Sequence, residues 1–158
     1  MAFHSTAQAN ANLINEHLKE INSNLNIVML TESVPHRIQT RLRLIEQSDC
    51  MIVLVGCNFQ KNSNCIELTQ YAVSIDKQMY PVNFFYSYTP FGALGLLLGQ
   101  RDLIRLSPED TKQFCASLDE LASEISSLES GGLSKAEFSD MDFLQPDTNL
   151  KFVDSRLR

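Results

Sequence analysis

The chain has 158 residues, 44% of them hydrophobic and 20% charged, which is enough apolar content for one globular domain with a full core. A formal net charge of -6 excludes a general electrostatic attraction to nucleic acid or to anionic membrane. Sparse Gly and Pro exclude a low-complexity chain.

The opening residues MAFHSTAQANANL have neither the basic start nor the apolar run of a signal peptide. The longest apolar run, ALGLLL within residues 91–99, is far too short to span a bilayer. A soluble, cytoplasmic protein without membrane insertion is therefore expected. Cys50, Cys57, Cys65 and Cys115 form no CxxC pair and no zinc-type spacing with His4, His17 or His36, so they read as buried reduced thiols, with no metal.

In chain order, MAFHS is expected to end a short first strand. From Thr6 the apolar positions Ile14, Leu18, Ile21 and Leu25 recur at helical spacing and predict an amphipathic helix. NIVMLT, residues 26–31, has a strand's length. ESVPH then breaks the chain, because Pro35 fixes its own φ and pushes Val34 out of helical geometry. A second helix follows, with Ile38, Leu42 and Ile45 on its apolar face and the arginines largely opposite. CMIVLVG, residues 50–56, is uninterrupted and β-branched, the pattern of a strand covered on both faces.

A polar loop, NFQKNSN, leads into a third helix whose stripe is Cys65, Leu68, Ala72, Ile75 and Met79. MYPVNFFYS, residues 79–87, is the next strand, followed by a loop or short helix over TPFGALGLLLG and a weak edge strand at residues 102–106. Ser107 and Pro108 predict the start of a last helix. Its buried stripe is Phe114, Leu118, Leu121, Ile125 and Leu128. From residue 130 the periodicity is lost, so residues 1–129 are expected to form the domain and 130–158 a flexible or loosely docked tail.

Alternating strands and helices specify an α/β, flavodoxin-like three-layer fold: a central parallel five-stranded sheet, order 2-1-3-4-5, flanked by helices. Ligands of such sheets bind beyond the carboxyl ends of the strands, here around His4–Ser5 and residues 56–59. Two relatives of this scaffold do not fit. A phosphoryl-accepting receiver domain needs an acid at the end of its central strand, where Gly56 and Cys57 stand. A dinucleotide-binding fold needs glycines after its first strand, and HSTAQANA has none.

Over about residues 1–128 the order of segments resembles a Toll/interleukin-1 receptor (TIR) domain. MAFHS is similar to the first strand of that family, TESVPHRI to its BB loop, SDCMIVLVGCNFQKNSNC to its central strand and following loop. YPVNFF with TPFGALGLLLG resembles its fourth strand and the Gly/Leu segment of some animal members. The BB loop departs from the family in being short and in carrying His36 where a glycine usually follows the proline.

The resemblance implies an intracellular signalling domain of innate immunity or cell death. Such a domain would act through self-association or contacts with other TIR domains, as a homo-oligomer that needs no cofactor. On that reading Ser33, Val34, Pro35 and His36 of the BB loop, with Arg37 and Arg41, form an interaction surface.

The resemblance also implies a competing reading, an NAD hydrolase or cyclase with NAD as substrate, Glu67 as catalytic carboxylate and His4, Ser5 and Phe59 lining the nucleotide pocket. NAD-cleaving members carry a glutamate three residues after a cysteine and four before a small residue. Ungapped comparison with CIELTQYA puts Leu68 at that position and Glu67 one residue early. Helix geometry agrees: Leu68 belongs to the apolar stripe, and Glu67 lies about 100° around the helix, as a solvated acid near its N-terminus would. A carboxylate so rotated sits several ångströms from its target.

Overall fold

The structure is a computed structural model, and it describes residues 1–32, 38–84, 87–99, 101–107 and 109–129. Strand β1 (Ala2–Phe3) leads through a 3₁₀ turn (Ser5–Ala7) into α1 (Gln8–Ile21). Then come β2 (Leu30–Thr31), α2 (Ile38–Gln47) and β3 (Cys50–Val55). Two consecutive helices follow, α3 (Cys57–Lys61) and α4 (Ser63–Ser74), before β4 (Gln78–Asn83), α5 (Gly92–Leu98), β5 (Ile104–Arg105) and α6 (Thr111–Glu129).

All four neighbouring strand pairs are parallel, in the order β2-β1-β3-β4-β5, as the alternation of elements implies. The long ladder is β3 on β4, in register from Cys50 opposite Gln78 to Val55 opposite Asn83. Along β3 the side chains alternate between two cores. Met51, Val53 and Val55 pack with Leu44, Ile45, Leu68, Ala72 and Leu94 of α2, α4 and α5. Ile52 and Leu54 face Ile14, Leu18, Phe114, Leu118 and Leu121 of α1 and α6. Burial on both faces is why CMIVLV needs no polar alternation.

Several boundaries differ from the periodicity, each for a local reason. Helix α1 stops at Ile21 because Asn22 turns to extended backbone and its Oδ1 accepts the Asn24 N–H at 3.0 Å. Ile21 is consequently 46% exposed, and Leu25 is buried from the connecting loop instead. Helix α4 ends at Ser74, since Asp76 takes a left-handed φ of 54° and sends the chain into β4. Ile75 is therefore exposed, and Met79 belongs to the strand. The expected polar loop contains α3, anchored by the buried Phe59.

Helix α6 begins at Thr111, where the Asp110 carboxylate accepts the Gln113 N–H at 3.1 Å, not at Ser107. Its apolar stripe holds: Phe114, Leu118, Leu121 and Ile125 are buried. Residues 130–158, expected as a tail, lie outside the described residues. No helix among the described residues is long and apolar enough to cross a membrane.

Leu118, fully buried between α6 and the sheet, is expected to matter far more than Ile21. Urea denaturation should show Leu118→Ala losing about 2–5 kcal/mol, and Ile21→Ala less than about 1 kcal/mol.

Candidate functional site at the carboxyl ends of β1 and β2

Parallel pairing of Phe3 with Thr31 brings the next residues of both strands, His4–Ser5 and Glu32, side by side at the carboxyl edge of the sheet. The Glu32 carboxylate accepts the Ser5 backbone N–H on both oxygens, at 2.9 and 2.8 Å, and the Ser5 hydroxyl on Oε1. His4 stands on the same carboxylate, Nε2 to Oε1 3.4 Å. The Thr6 N–H donates to His4 Nδ1 at 3.3 Å, which leaves the imidazole proton on Nε2, facing Glu32.

Helix α2 supplies a cation to the same corner. Arg41, 6% exposed, donates from Nη2 to the Glu32 carbonyl oxygen at 3.4 Å. This corrects the expectation of an exposed interaction residue. Arg41 lies one turn before Leu44 and Ile45, so it shares their buried face, while Ile38 is turned outward at 44% exposure. Asn62 caps α4 by accepting the Cys65 N–H at 3.2 Å, which sets the rotation of that helix against the sheet.

Between these elements lies a cleft of about 180 Å³ of empty space, walled by Phe3, Leu30, Phe59, Cys65 and Leu68 with Glu32 and Arg41 at its polar side. Part of that space is open solvent, and the enclosed part holds no cavity of nucleotide size.

The electrostatics follow from this geometry. Burial pushes the Glu32 carboxyl up, but the Ser5 hydroxyl, the backbone hydrogen bonds and the neighbouring His4 outweigh it and hold the group below its ordinary value. Glu32 is an ionised carboxylate whose acceptor capacity is largely used. Cys65 is the opposite case. Burial, then the nearby Glu32 charge, push its thiol up to about 12, against a smaller opposing pull from Arg41. It is a protonated wall residue, not a nucleophile.

The predicted residues divide accordingly. Phe59 lines the cleft, and His4 and Ser5 join it through Glu32. Leu68 points inward at 3% exposure and Glu67 is exposed, outside the residues that wall the cleft. Ser33, Val34, Pro35, His36 and Arg37 lie outside the described residues. Periodicity gave no hint of Glu32. The signal available was topological: an acid directly after the second of two parallel neighbours must stand at the carboxyl edge. Among the described residues no three His, Cys, Asp or Glu side chains converge to hold a metal ion. The chain matches no protein-family model and has no significant match among curated proteins.

The Glu32 clamp carries a pH signature. Its folded pKa is depressed, so its stabilisation is present above the unfolded value, about 4.3, and is lost as pH falls through the folded value. Glu32→Gln is expected to cost roughly 1–2 kcal/mol at pH 7. The gap to wild type should narrow in urea melts as the pH is lowered below the unfolded value and through the folded one.

Proposed function

We propose that this chain is a TIR-type signalling domain of the cytoplasm that acts by self-association, and that it does not cleave NAD. The observation that carries this reading is Leu68. The position corresponding to the catalytic glutamate of NAD-cleaving TIR domains is an apolar wall residue, 3% exposed, packed in the core with Val53 and Phe59. The parallel 2-1-3-4-5 sheet supports the family reading at the level of fold, and fold alone does not determine activity.

The enzyme reading through Glu67 has less support. Opposite charge stabilises a cationic ribosyl species only from within the site, and Glu67 stands on the exposed side of α4. The carboxylate that does face the cleft, Glu32, is engaged by Ser5 on both oxygens. A group with its lone pairs so occupied is a poor proton acceptor.

Two measurements test the proposal. Incubated with NAD at high protein concentration, wild type and Glu67→Ala are both expected to leave it intact. Turnover that disappears in Glu67→Ala would establish the hydrolase reading instead. Light scattering across a concentration series is expected to show a mass rising with concentration, and Pro35→His in the BB loop is expected to weaken the rise. A wild type that stays monomeric throughout would contradict self-association.

A further inference from the structure

We draw no further inference here: the strongest candidate, the exposed apolar patch that Phe91 and Leu96 form along α5, carries nothing because nothing in the structure shows what covers it.

Discussion

The architecture of the cleft depends on one carboxylate. β1 and β2 are each two residues long and share only the pairs Ala2–Leu30 and Phe3–Thr31, too little ladder to define where both strands end. Glu32 extends that pairing with side-chain chemistry, accepting the Ser5 amide and hydroxyl across the gap between the strands. From there the order propagates. The 3₁₀ turn at Ser5–Ala7 starts α1, Thr6 accepts the Asn58 side-chain amide of α3, and Arg41 of α2 holds the Glu32 carbonyl. Charge-assisted hydrogen bonds such as those on the Glu32 carboxylate are about twice as strong as neutral ones. The carboxylate thus joins the end of β2 to the turn after β1, and the Glu32 backbone carbonyl ties the same corner to α2.

The same engagement separates a structural carboxylate from a catalytic one. General acids and bases in active sites have pKa values moved toward the working pH. Glu32 moves the other way, because its partners favour the charged form. With Leu68 and Cys65 opposite, the cleft has apolar and protonated walls. Elsewhere, at Phe91 and Leu96, the chain exposes apolar surface.

Much of this was legible in the residues, where the information is local. The uninterrupted run of β3 declared a strand buried on both faces, the stripe of α6 declared its inner side, and the spacing Cys65, Leu68, Ala72 set the rotation of α4 correctly. What stayed hidden depended on distant partners. Glu32 stands out only once Ser5, 27 residues away, lies beside it. Arg41 reads as a surface residue until the Glu32 carbonyl offers its guanidinium a partner beneath the helix. The short helix α3 hangs on the single anchor Phe59, too few apolar positions to make a period. The ends of α1 and α4 were set by Asn22 and Asp76, polar residues that an apolar count passes over.

The central claim is that Glu32 is an ionised clamp closing this corner of the fold. The most direct test follows the Glu32 carboxyl carbon and the Ser5 amide proton together by NMR through an acid titration. The account predicts a single shared midpoint below that of an ordinary glutamate, unmoved by added NAD. A midpoint at or above the ordinary value, or one displaced by the nucleotide, would contradict it and make Glu32 a ligand-facing acid.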